Sequence, residues 1–479
     1  MFNCALFKYK FTITQSFLLL FFLSFLSVFS LIRENVSYID DYFRSLYGLG
    51  DWLNYSRYTS EYFSKLVHSS SFLADISPIP QIIAISELAC SGIMLMYIFT
   101  NSNKYSFFQI LSVFPICVNP YMYQCLAYKF DAPYMALSVL SAILPFLFIR
   151  NSIAFFLIVI VCTVIILTSY QVSIGIFLVV FIFKLLIQYL NNVSYKILFK
   201  QILHFCFSFL VGTVCFKLFL FSENGHATQT ISKTDFLERF FFNILEYYKV
   251  IVSDSLDVAF LSFGVMSFLF VLLNCLNYSK KVIFAALFSI LSIVIGLVSL
   301  FLLYSFLDTP PHEARQLYGI ATLVSIIFLF TLLKKEYFIS RICIFCCCWS
   351  FIVFGAAFGN ALVAQKEYEE YRMILVINDL KNIVSGNNEY KIHIKGNVGK
   401  SPLIFRLENK YPLIKRMIVA MFFDSKFYFG CLRFFGNYGL KNIINDPNII
   451  IDKTRNFKEI DTMFHIILIQ SDKIEVVLK

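Results

Sequence analysis

The feature that most constrains this chain is a series of apolar runs of the length a bilayer demands. A span takes about 20 consecutive apolar residues. About eleven candidate runs are visible, near 11–33, 77–99, 106–118, 132–149, 152–168, 172–190, 201–221, 257–277, 282–306, 317–333 and 342–362. In hydrocarbon only a structure that satisfies its own backbone hydrogen bonds is tolerated, and a helix does so within one segment. The expected fold is therefore mainly α, a polytopic helical membrane protein. Composition agrees: 59% of the 479 residues are hydrophobic and 15% charged, against about 25% charged in a soluble domain. The first run follows Lys10 with no small-residue cleavage site behind it, which reads as a retained signal anchor.

The basic residues then assign an orientation. With the N-terminus inside, the inside connections hold Lys8, Lys10, Lys104, Arg150, Lys196, Lys200, Lys280, Lys281, Lys334, Lys335 and Arg341. The short outside turns near 119–131, 169–171 and 307–316 hold only Lys129 and Arg315. That asymmetry is the positive-inside pattern. It also accounts for the net charge of +10 without nucleic acid, since no basic cluster with interleaved aromatics occurs. An odd number of spans leaves the C-terminus outside. Residues 1–362 are read as the transmembrane domain, with outside loops at 34–76 and 222–256. Residues 363–479 are read as a small α/β domain on the outer face: a helix, a strand at "EYKIHIKG", a helix from about 410 and a final alternating strand "FHIILIQSDKIEVVLK".

Candidate chemistry gathers at the outside turns. Asp40 and Asp41 lie about seven residues past the first run, beside Arg44 and a group of Tyr and Trp that includes Trp52. One aspartate would serve as a helix cap. A pair at a low-dielectric surface suits proton removal from a sugar hydroxyl. The aromatics are either an interfacial belt or rings that stack on sugar faces. Asp131 precedes "APYMA" in the second turn, as a cap or as a third site carboxylate, and Lys129 would pair with it or meet a phosphate. In "LDTPPHEARQLYG" (307–319), Glu313 and Arg315 face outside, where a guanidinium is suited to a lipid phosphate. Glu87 lies inside the second run, and intramembrane carboxylates are costly; pairing with a neighbouring helix is its commoner fate. His204 reads as a satisfied interior histidine. Most of the 13 cysteines fall in apolar runs, and the Cys343/Cys346 spacing has no second pair or His to complete a metal site. No phosphate-binding loop, dinucleotide fingerprint or nucleophile elbow is present.

The order "DDYFRSLYGLGDWLNYSRY", "PIPQI", "NPYMYQCLAYKFDAPYMALS" and, more loosely, "PPHEARQLYG" resembles the serotype-converting O-antigen glucosyltransferases of enteric bacteria and their phages, polytopic enzymes of the GT-C class. The resemblance implies transfer of glucose from undecaprenyl phosphate to an O-antigen sugar of lipopolysaccharide, at the periplasmic face of the inner membrane. It implies no organic cofactor, with room for a divalent cation near the aspartates, and a functional link to a separate synthase and a flippase. By the same resemblance Asp40, Asp41 and Asp131 would be catalytic. Arg44, Trp52, Lys129, Glu313 and Arg315 would bind substrate. The competing readings are a secondary transporter or flippase of lipid-linked sugars, which would place polar groups near the midplane on broken helices, and a GT-C enzyme with another sugar or acceptor.

Overall fold

In the computed structural model the described residues are 9–479, apart from 222–229, 233, 278–281, 382, 385–387, 428–429, 439–441, 453 and 455. Three basic residues used for orientation (Lys8, Lys280 and Lys281) and part of the 222–256 loop lie outside this set. Among the described residues seven helices are long and apolar enough to cross a membrane: α1 (Ile13–Ile32), α4 (Ile79–Thr100), the segment Gln171–Leu190 containing α10 (Ile174–Leu190), α11 (Tyr195–Phe219), α13 (Asp257–Asn277), α14 (Val282–Ser305) and α16 (Phe338–Lys381). Between α1 and α4 lie two short helices, α2 (Asp40–Tyr47) and α3 (Tyr58–Val67).

The other four apolar runs form shorter helices. They are α5 and α6 (Phe107–Ser112 and Phe114–Cys117), α8 (Ala132–Ile143, continued as a 3-10 turn), α9 (Ser152–Thr168) and α15 (Ile320–Phe330). The helix α7 (Met122–Ala127) joins the first pair to α8. Every residue from 111 to 136 is buried. Broken helices and turns at such depth are tolerated because protein, not lipid, surrounds them. The short pieces form the centre around which the long helices pack.

Contacts between distant segments sort the connections into two ends. At one, β1 (Phe11–Thr12) pairs with β2 (Lys104–Tyr105), Arg150 bonds Asn101 and Arg341 bonds Glu336. At the other meet the loop after α1, the turn 119–131, the turn 311–316 and the C-terminal region. The amphipathic α12 (Phe236–Asp254) lies at this second end. It buries Asn243 and Tyr247 against α14 and the 307–311 turn while Phe241, Phe242 and Leu245 stay exposed.

The 44-residue α16 runs from the bundle into the C-terminal region. Its last turns, with Met373, Val376, Ile377 and Leu380, cover a five-stranded sheet of order β4-β3-β7-β6-β5 (β3 Tyr390–Lys395, β4 Ile443–Asn445, β5 Lys458–Asp461, β6 His465–Gln470, β7 Lys473–Leu478). The strand expected over 464–479 is instead a hairpin, β6 paired antiparallel with β7. The alternation runs on through both strands, and only the polar Ser471–Asp472 turn, with Ser471 at φ +56°, divides them. The helix expected from about 410 is a pair, α17 (Pro402–Lys410) and α18 (Pro412–Met417), each with proline in its first turn, where the missing N–H costs nothing. Leu413, Ile414 and Met417 join the core of the bundle, not that of the sheet. The helix α19 (Leu432–Tyr438) brings Gly436 against Leu46 of α2.

Candidate active site

The helix α2 begins abruptly. Ile39, just before it, has φ +42° and offers no capping side chain. A β-branched residue at positive φ is strained, and such strain gathers at functional sites. The helix ends at Gly48 (φ +68°), where a Cβ would collide with the Phe72 ring. The Gly48 carbonyl then accepts from Leu73 N at 2.9 Å and closes the loop. The eight residues between present Asp41 and Arg44, three apart and so on one face, to the protein interior.

The three aspartates have different surroundings. Asp41 is fully buried, and its carboxylate accepts from the backbone N–H groups of Tyr38 (2.9 Å), Lys129 (3.2 Å) and Phe130 (3.4 Å). Burial raises its pKa to about 7, against the pull of Lys129, the Tyr38 N–H and Arg44 towards the ionised form. Asp131 precedes α8 but makes no side-chain cap bond. One of its oxygens accepts from Arg44 Nη1, and the other from Trp52 Nε1 at 2.6 Å. Asp40 alone is partly open, with 31% of its side chain exposed and Arg44 at 3.8 Å. It lies within electrostatic range of Arg315 and Tyr128.

The other sequence-predicted residues divide in the same way. Trp52 is 1% exposed, and its ring carries the Arg44 guanidinium at 4.7 Å, so the indole is held by protein on its face and at its N–H. It packs with Leu73, Phe130 and Tyr134. Lys129 bonds not Asp131 but Asp75 (2.6 Å) and Asn35 Oδ1 (3.0 Å). Glu313 is exposed and caps the Ala314–Gln316 turn. Arg315 lies over the Tyr128 ring at 4.7 Å and forms no ion pair among the described residues.

Residues not marked by the sequence connect these parts. Buried Gln124 donates to Tyr38 Oη (2.9 Å) and accepts from Arg315 N (2.6 Å). Tyr38 Oη in turn donates to the Met417 carbonyl at 2.5 Å. Arg416 bonds both the His312 carbonyl and the Asp254 carboxylate. The α18 segment thus grips the two arms of the site, two residues before Asp40 and three before Arg315. Proline at 412 was the only local sign that 412–417 does more than pack. Elsewhere, Glu87 is half-buried with Oε2 lacking a hydrogen-bond partner among the described residues. His204 bonds the Lys200 carbonyl and lines an apolar groove between α9 and α11.

These surroundings also bear on a divalent cation. The carboxylates of Asp41 and Asp131 already accept from N–H donors, and no group of three or more His, Cys, Asp or Glu among the described residues has metal-binding geometry. Among the described residues these side chains do not fit such an ion.

A family model for glucosyl transferase GtrII matches residues 29–332, a stretch that contains α2, the 119–131 turn and Arg315. The chain belongs to this family. It is a membrane glycosyltransferase, which sets aside the transporter reading. Serotype-converting glucosyltransferases of the Gtr type are the family that the order of motifs resembled. No curated protein and no solved structure matches the chain significantly. The region from α16 onward, including Arg416 and Met417, lies beyond the matched segment.

Proposed function

We propose that this glycosyltransferase moves glucose from undecaprenyl phosphate to a sugar of the O-antigen, at the periplasmic face of the bacterial inner membrane. The observation that carries the reading is a partly open carboxylate, Asp40, in electrostatic range of Arg315, a guanidinium without an ion pair among the described residues, at one end of an apolar bundle. Excess Lys and Arg at the opposite connections supports placing that end outside. Nucleotide sugars are confined to the cytoplasm, so a donor on a lipid that diffuses in the membrane suits an outside site.

In this reading Asp40 accepts the proton of the acceptor hydroxyl as its oxygen bonds to the glucosyl C1. The C1–O bond to phosphate breaks with its electron pair leaving on the phosphate, an inverting single displacement. Asp41 and Asp131 hold the scaffold: one fixes the backbone of the 129–130 turn to α2, and the other fixes Arg44 and Trp52. Much of the acceleration then comes from alignment and from positive charge at the leaving phosphate. Modification of the O-antigen in this way would convert serotype.

The test is expression with a donor synthase and a flippase in a strain of known O-antigen, followed by polysaccharide analysis. An added side-branch hexose that disappears in Asp40→Asn supports the reading. An unchanged glycan across several acceptor backgrounds overturns it. For the orientation, a reporter after Lys479 that is active only in the cytoplasm would invert the assignment.

A further inference from the structure

Of the three basic side chains that the sequence placed at the site, two are already engaged: Arg44 with Asp131 and Asp40, Lys129 with Asp75. Arg315 is not, and neither is a fourth cation, Arg57. Among the described residues Arg57 forms no ion pair. Its guanidinium lies over the rings of Tyr55 (5.6 Å) and Tyr170 (5.4 Å).

The backbone places Arg57 deliberately. The Trp52 carbonyl accepts from both Tyr55 N (3.1 Å) and Arg57 N (3.0 Å), with buried Ser56 turned to φ +60° between them. The same Trp52 bonds Asp131 through its indole N–H. One residue therefore fixes Arg57 and the Asp131–Arg44 pair together. Just beyond, Thr59 ties α3 to the end of α9 through Thr168 at 2.7 Å.

Tyr170 connects the two unengaged cations. Its ring carries Arg57, and its hydroxyl donates to the Arg315 backbone carbonyl at 3.3 Å. The Tyr304 phenol lies within electrostatic range of both guanidiniums. The Arg57 guanidinium rests on Tyr170 and that of Arg315 on Tyr128, and Tyr170 and Tyr304 both lie in the field of the two charges, an arrangement that favours an anion between them. A guanidinium is the group best shaped for phosphate oxygens, and resting on an aromatic face leaves its N–H edge free to donate.

We infer that Arg57 and Arg315 form a two-guanidinium subsite for the phosphate of a membrane-borne donor, with Asp40 at its edge. The inference rests on the donor assignment made above and adds a residue to it. Arg44 and Lys129 serve the scaffold.

The experiment uses the full chain in nanodiscs, with undecaprenyl phosphate, inorganic phosphate and phosphatidylglycerol as separate probes. Arg57→Gln and Arg315→Gln are each expected to weaken undecaprenyl phosphate binding about 10- to 100-fold, the range for losing a charge-assisted hydrogen bond. Each should raise the apparent KM for the lipid-linked sugar more than it lowers turnover, since the contact is present in ground and transition states. Arg57→Lys, which keeps the charge without the fork, should fall between. Because both side chains act on one phosphate, their effects should be non-additive in the double variant.

Wild-type affinity and turnover in Arg57→Gln, with Arg315→Gln impaired, would overturn the two-cation subsite and leave the donor assignment standing. Equal binding of undecaprenyl phosphate and phosphatidylglycerol, or preference for inorganic phosphate, would overturn both. An Arg57→Gln protein that loses thermal stability but not affinity would make Arg57 structural and also overturn the inference.

Discussion

Replacing Asp40 and Asp41 separately by Asn distinguishes a carboxylate that reacts from one that holds the fold. At Asp41 the amide oxygen can take the Oδ2 position and keep the N–H groups of Tyr38 and Lys129. The amide nitrogen then faces the Phe130 N–H, which Oδ1 had accepted. A buried donor left without an acceptor costs about 1–3 kcal/mol, so Asp41→Asn should lower the thermal unfolding midpoint measurably. At Asp40 no side-chain hydrogen bond among the described residues is lost, only the 3.8 Å ion pair with Arg44, which keeps Asp131. Removing a negative charge from the first turn of α2 costs about 0.3–1 kcal/mol, yet loss of the general base should lower transfer about 10²–10⁴-fold. The assay pairs thermal unfolding in nanodiscs with transfer from undecaprenyl phosphate glucose, normalised to folded protein. Asp40→Asn should be stable and inactive; Asp41→Asn should be less stable but retain more activity per folded molecule. Full transfer by Asp40→Asn, or a stability loss equal to that of Asp41→Asn, would refute the division of roles.

Three further outcomes are expected. Arg416→Ala leaves the Asp254 carboxylate buried without its partner, a loss of up to about 3–5 kcal/mol; adding Asp254→Asn should restore part of it in the same unfolding assay. Trp52→Phe deprives one Asp131 oxygen of its donor and should cost about 1–3 kcal/mol, read as a lower melting midpoint. His312, half-buried beside Tyr247 at 4.7 Å and near Arg416, has its pKa lowered from 6.5 by burial and by Arg416, with Glu246 opposing. The unfolded chain then binds more protons at His312 just below pH 6.5. Its contribution to stability is therefore present above that pH and lost as pH falls through the lowered value. His312→Gln should flatten the acid limb of a melting-temperature profile, and an unchanged limb would exclude this histidine as its source.

The apolar runs were legible because residence in hydrocarbon is a local demand: each run must supply its own length and its own backbone hydrogen bonds. Each of the eleven runs falls on helix, although among the described residues seven helices have spanning length. The shortness of the other four depends on what surrounds them, and the sequence of 106–118 does not say that protein covers it. The C-terminal hairpin was missed because alternation has the same period on both sides of a two-residue turn.

The residue types that make up the candidate site stood out in the sequence, since charged and aromatic side chains between apolar runs have few other reasons to be there. Their roles were not. Asp40 and Asp41 are neighbours in sequence, but a helix turns about 100° per residue, so one carboxylate meets the 129–130 backbone while the other stays partly open beside Arg44, within electrostatic range of Arg315. Lys129 found Asp75, and Trp52 found Asp131 across 79 residues of chain. Whether a carboxylate or a cation is left to react is decided by which partners the packed helices bring to it. Sequence alone determined that a membrane enzyme would keep its charges at the ends of its apolar runs, by the local cost of placing them anywhere else. Tertiary structure decided which of those charges remain open, because an ion pair or a buried hydrogen bond is a property of two segments that only packing makes adjacent.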